Sequence, residues 1–169
     1  PDWFFTLGQG EVAGVPTQLW LLLAAILVFA VLLARTTFGR TLYAIGNNET
    51  AARFSGLAVD RAKLTIYGLS GLMAGLAAWI FVSRVSTTRS DMGTGLELDV
   101  IAAVVLGGTS IFGGSGSILG SVLGFVLIQL LKNGLALTGV KGDATIVVIG
   151  TVLILSILVT SFAQRRRAD

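Results

Sequence analysis

The uncharged run QLWLLLAAILVFAVLLA, residues 18–34, limits the folds open to this chain more than any other stretch. At 1.5 Å per residue a helix of this length crosses most of a hydrocarbon core of about 30 Å. Residues 64–85, charged only at Arg84, and 145–162 form two further apolar runs. Only 12% of the residues are charged, against roughly 25% in an ordinary soluble domain. The chain therefore reads as an all-α, polytopic integral membrane protein.

Two shorter apolar runs, 100–112 and 118–131, meet at the uncharged stretch GGTSIFGGSGS, residues 107–117. That makes about five hydrophobic segments, with a glycine-rich break between the two short ones. A break of this kind has two readings: a tight helical hairpin, or broken helices that re-enter the membrane. Irregular backbone is tolerated at that depth only where protein or a water cavity satisfies it. Gly107, Gly108, Gly113, Gly114 and Gly116 are the candidate break residues. Gly116, Gly120 and Gly124 recur every four residues and form a smooth ridge for close helix contact. Gly71 and Gly75, flanked by Ser70 and Ala74, offer a similar face, either for packing within one subunit or for a subunit interface.

Charge placement gives the expected topology. Arg35 and Arg40 follow the first run, and Arg165, Arg166 and Arg167 follow the last. By the positive-inside rule both ends are cytoplasmic. The opening residues 1–16, with interfacial Trp3, Phe4 and Phe5, then lie outside, as do the loops 84–99 and 132–143. The chain begins at Pro1, within a polar loop, as a fragment of a longer protein would.

The longest polar interruption, residues 39–63, carries Arg40, Arg53, Arg61 and Lys63, with Arg35 beside it, against Glu49 and Asp60. It contains the elements of a short helix. Asn47 or Asn48 can cap it, Glu49 falls in the first turn, and Gly56 can end it. Such a helix between two spans either lies on lipid headgroups or docks a partner protein.

Several chemistries are excluded. With no cysteine and no histidine, the chain has no thiol nucleophile, disulfide, histidine base or Cys/His zinc site. The net charge of +3 is confined to membrane-facing loops and does not form a nucleic-acid stripe. A phosphate-binding loop needs a lysine after its last glycine, but here Gly113 is followed by Gly114 and Ser115. In GSGSILG the third glycine comes one residue too late for a dinucleotide fingerprint. Asn48-Glu49-Thr50 fits a glycosylation sequon but lies on the expected cytoplasmic side. No carboxylate pair sits within the apolar runs. Gln129 is the only strongly polar side chain deep in one, suited to an interhelical hydrogen bond or to lining a pathway. Arg84, Ser86, Thr87, Thr88, Arg89 and Asp91 form a hydroxyl-rich external group that suits either water or a polyol.

Three stretches taken together, FGRTLYAIGNNETAARFSGLAVDRAKLTIYGLSGLMAGLAA, GTGLELDVIAAVVLGGTSIFGGSGSILGSVLG and LLKNGLALTGV, resemble one family. It is the membrane permease subunits of bacterial ABC importers for monosaccharides, which include ribose, xylose, arabinose, rhamnose and autoinducer-2 permeases. The likeness runs nearly continuously from residue 16 to about 161. Such permeases are roughly twice this length, so the resemblance implies a single permease domain over residues 1–169 that is a C-terminal half.

The resemblance further implies a bacterial inner-membrane location and no covalent chemistry, catalytic residue, metal or cofactor in the chain itself. The implied partners are an ABC ATPase subunit that binds the ATP, a periplasmic sugar-binding protein, a second permease subunit and membrane lipid. The loop 39–63 corresponds to the coupling element, which points to Gly46, Asn47, Asn48, Glu49, Ala51, Ala52 and Gly56. The family's most recognisable signature here comprises Gly93, Gly95, Glu97, Asp99, Gly107, Gly108, Gly113, Gly114 and Gly116. Two departures leave the sugar open. The loop with Arg89 and Asp91 is variable in the family, and the last run lacks the aromatic start of many relatives.

Overall fold

The computed structural model describes residues 8–87, 93–139, 144, 147–156 and 158. Trp3, Phe4, Phe5, Thr88, Arg89, Asp91, Asp143 and the Arg165, Arg166 and Arg167 triplet lie outside the described residues. The chain divides into two compact units, Pro1–Met92 and Gly93–Asp169.

The first unit opens with a minimal antiparallel hairpin, β1 (Glu11–Val12) and β2 (Val15–Pro16). Ala13 and Gly14 make the turn, both with positive φ (56° and 75°), the geometry that matches the twist of a two-residue hairpin. Helix α1 (Thr17–Arg35) follows, and none of its side chains is buried. Thr36 then leaves helical geometry, and its hydroxyl accepts from the Gly39 amide at 3.1 Å to start α2 (Thr37–Asn47). A Cβ at position 39 would stand 2.1 Å from the Leu33 carbonyl oxygen, so the turn from α1 into α2 requires glycine. Asn48 separates α2 from α3 (Glu49–Phe54), and α4 (Val59–Val85) completes the unit.

These boundaries correct the expected loop 39–63. It is helical over most of its length, because α2 occupies its first part and α4 begins at Val59, five residues before the apolar run. With 27 residues, α4 is about 40 Å long and exceeds a hydrocarbon core by roughly two turns. The excess is the charged first turns carrying Asp60, Arg61 and Lys63.

At its other end α4 is tied to the opening segment. The Gly8 amide donates to the fully buried Ser83 hydroxyl at 3.1 Å. Gln9 Nε2 donates to the Ser83 carbonyl at 3.0 Å and to Ser86 Oγ at 2.9 Å. Gln18 donates to the Gly8 carbonyl and accepts from Arg84 at 3.2 Å. The expected solvated loop beginning at Arg84 is thus, in its first residues, an ordered polar joint. Ser86 ends the helix in the left-handed region. Gly71 and Gly75 meet nothing within 4 Å among the described residues, so their face is not packed within this unit.

In the second unit α5 (Leu96–Leu106) has 11 residues and α6 (Ile118–Leu137) has 20, about 16 Å and 30 Å long. The second apolar run is therefore a full-length helix rather than a short segment, and it continues through Lys132 to Leu137. The expected external loop starting at Lys132 is corrected accordingly. A lysine is accommodated there because its ammonium reaches Asp99 of α5 at 2.6 Å, so that neither charge is left alone. Helix α7 (Val147–Ser156) is the described part of the last run.

Helices α5 and α6 touch backbone to backbone. A Cβ at Gly124 would stand 2.0 Å from the Ala103 carbonyl oxygen, and one at Gly120 would stand 2.1 Å from that of Gly107. Ala102, Ala103, Ile128 and Ile149 form the buried core, with Leu106, Leu131 and Leu153 packed against it. Between the helices, Gly108, Gly113 and Gly114 take positive φ (85°, 93° and 76°). The Ser110 amide closes the turn on the Ser115 carbonyl at 2.9 Å, and Ser117 caps α6.

Among the described residues, α1, α4 and α6 are long and apolar enough to cross a membrane, with mean hydropathy of 2.5, 1.7 and 1.7.

Candidate coupling corner and translocation elements

The corner formed by α2, α3 and the start of α4 gathers most of the polar loop's chemistry. Asn48 Oδ1 accepts from the Ala51 amide at 3.0 Å and so caps α3. Glu49 stands in the first turn of α3 and Arg53 in the last, both favourable to the helix dipole. Gly56, at φ +81°, reverses the chain, and the Leu57 amide donates back to the Ala52 carbonyl at 3.1 Å. The cap, the acidic first turn and the glycine stop are thus where the sequence places them. Of the two candidate caps it is Asn48, since Asn47 closes α2.

Four charged side chains hold this corner. Arg53 bridges Glu49 at 3.3 Å and Asp60 at 2.5 Å, while Lys63 reaches Glu49 at 2.7 Å. The Lys63 hydrogen bond, aided by Arg53, holds the Glu49 carboxyl below the ordinary glutamate range. Asp60 in turn raises the Arg53 guanidinium above its ordinary value. Single exposed pairs contribute little to stability, but the shared Glu49 and Arg53 link α3 to α4 at two points. Ala52 of α3 and Val59 and Ala62 of α4 are buried.

Burial sorts the predicted residues. Ala52 is 4% exposed and packs inward, where it supports the corner. Both Glu49 oxygens are engaged within the chain. Asn47, Asn48 and Ala51 are exposed, and Gly46 is half-buried. Sequence reading missed Phe54, which is 88% exposed at the end of α3. Two residues on a helix turn through about 200°, so an inward Ala52 already implied an outward Phe54.

The break residues fall into two groups. Gly107 packs on Gly120, and Gly116 on Thr109, with Cβ positions at 2.3 Å and 2.8 Å from the neighbouring atoms. Gly108, Gly113 and Gly114 supply the positive-φ turn. Gln129 follows buried Ile128 and is exposed, so its amide faces away from the α5–α7 core. An interhelical hydrogen bond, one of its two expected roles, is not made among the described residues. The polar contact between helices is Asp99–Lys132, whose side chains are 15% and 36% exposed. Lys132 therefore places a charge within α6, one residue past the expected apolar run 118–131.

With long apolar helices, a half-length helix on a glycine-rich turn and an ion-paired corner between two spans, the chain has the makings of a membrane permease. Over residues 2–157 it matches the family described as branched-chain amino acid transport system / permease component, and it belongs to that family. It is 44% identical over 163 residues to the ribose import permease protein RbsC of Escherichia coli (strain K12), covering 96% of this chain and 51% of that one. RbsC of Bacillus subtilis (strain 168) is 44% identical, with 92% and 48% covered. The L-arabinose transport system permease protein AraH of E. coli (strain K12) is 38% identical, with 97% and 50% covered. The chain spans about half the length of these relatives. No solved structure matches it. Although the family is described by amino-acid transport, the relatives named here are pentose permeases, in agreement with the resemblance carried by the sequence motifs.

Proposed function

We propose that the chain is part of the translocation subunit of an ABC importer that moves a monosaccharide across a bacterial inner membrane. The corner of α2, α3 and α4 would be its contact with a separate ATPase. The observation that carries this reading is the outward Phe54 on an ion-paired helix, beyond the membrane-spanning length of α4. Aromatic anchors on a rigid support are the residues that concentrate binding energy at interfaces. The cations Arg35, Arg40, Arg53, Arg61 and Lys63 argue for a cytoplasmic position of this corner, where an ATPase would be met.

ATP binding and hydrolysis belong to that partner, and sugar delivery to a periplasmic binding protein. A second permease subunit would close the pathway. Closure of the ATPases then pushes on α3, and the stiff link from Glu49 to Lys63 passes the displacement into α4. On the translocation side, exposed Gln129 and the turn around Gly108, Gly113 and Gly114 are the polar groups offered to a neutral sugar. Asp99 and Lys132 neutralise each other, which suits helix docking better than an ion-coupled transport site.

The test replaces Phe54 with aspartate in the assembled transporter and measures sugar uptake and ATP hydrolysis together. Uncoupled or lost uptake with normal insertion is expected. Unchanged uptake would remove α3 from the interface.

A further inference from the structure

Between α2 and the start of α4 lies an open cleft of about 300 Å³, lined by Thr37, Phe38, Thr41, Leu57, Arg61 and Thr65 among others. Its height on the molecule is fixed by the neighbouring sequence. Helix α1 ends at Arg35, and the apolar part of α4 begins at Leu64, one turn beyond Arg61. The cleft therefore sits where hydrocarbon gives way to headgroups.

The charge around it is unbalanced. Glu49 and Asp60 are taken up by Arg53 and Lys63. Arg35, Arg40 and Arg61 make no ion pair among the described residues. A ligand for this cleft is thus an anion. The hydroxyls of Thr41 and Thr65 already donate to the carbonyls of Thr37 and Arg61, at 3.0 Å and 2.9 Å. This leaves Arg61 as the main charged donor, with a planar fork suited to two phosphate oxygens. Deeper along the same face of α4 as Arg61 and Thr65, half-buried Leu69 and the 56% exposed Leu72 form an apolar strip.

We propose that this cleft holds the phosphate of an anionic phospholipid, bound by Arg61, with its acyl chains along Leu69 and Leu72. An acidic segment of a partner protein would satisfy the charge but not the apolar strip at membrane depth. Basic pockets beside membrane helices are a recognised setting for such headgroups. The inference needs only that α1 and α4 cross a membrane, and it stands or falls separately from the transport reading.

The protein, purified from its own membrane, is placed in nanodiscs of phosphatidylcholine with phosphatidylglycerol, and retained lipids are counted by native mass spectrometry. Wild type is expected to retain phosphatidylglycerol about fivefold better, the effect of one cation near a surface. Arg61→Gln should lose that preference and Arg61→Lys keep part of it, with thermal unfolding verifying that each variant is folded. Equal retention of the two lipids by wild type overturns the proposal, as does an unchanged preference in folded Arg61→Gln. So does loss of a co-purified protein at unchanged lipid count, which would assign the cleft to a protein partner.

Discussion

Lys63 Nζ donates to Glu49 Oε2 at 2.7 Å, joining the first turn of α3 to the first turns of α4 across fourteen residues of chain. Arg53 adds a second join through Asp60. The consequence is that Glu49 works within the chain, as a brace. Glu49→Lys would set a third cation between Arg53 and Lys63. We expect faster amide exchange over residues 49–63, uptake reduced several-fold, and unchanged insertion and global stability. Hydrogen exchange read beside a transport assay checks this.

The same pair sets a pH dependence. The folded Glu49 carboxyl titrates below its ordinary range, so the unfolded corner binds the proton more readily. The stabilisation is fully present above the ordinary glutamate range and is lost as pH falls through the lowered value. Arg53 stays charged throughout. Protection of α3 amides should thus hold at neutral pH and fall on strong acidification, while Glu49→Gln should show weak protection at both.

Glycine positions separate by what surrounds them. Gly124→Leu would drive a side chain into the Ala103 carbonyl and should cost roughly 3 kcal/mol or more. Gly108→Leu meets open space at its Cβ and a backbone penalty at φ 85°, about 1–2 kcal/mol. Gly71→Ala finds open space among the described residues and should leave the folding unchanged. Thermal unfolding in detergent should rank the three in that order.

The Asp99–Lys132 pair is half-shielded between α5 and α6. Asp99→Asn or Lys132→Met alone should cost about 1–3 kcal/mol, because each strands the opposite charge. The double variant should recover most of that loss. A double-mutant cycle on unfolding measures the coupling.

How far the fold could be read in advance depended on how local each signal is. Helix α1 was legible because an uncharged apolar run has few alternatives in lipid. The α3 cap and stop were legible because Asn48, Glu49 and Gly56 act within one turn. Helix α2 was missed beneath its glycines and polar residues, although Phe38, Leu42 and Ile45 recur at helical spacing. Lys132 was read as the end of a run because its partner, Asp99, lies 33 residues upstream, beyond any local pattern. Phe54 was legible only once Ala52 was known to face inward. The role assigned to the coupling residues came from the family resemblance and not from their spacing.

On the proposed reading α3 meets an ATPase through Phe54. The most direct measurement is sugar uptake and ATP hydrolysis by the reconstituted transporter carrying Phe54→Asp, with membrane insertion verified. Uptake should fall at least tenfold, the scale of losing one aromatic anchor at an interface, and hydrolysis should no longer respond to the loaded binding protein. Uptake and hydrolysis equal to wild type would contradict that reading.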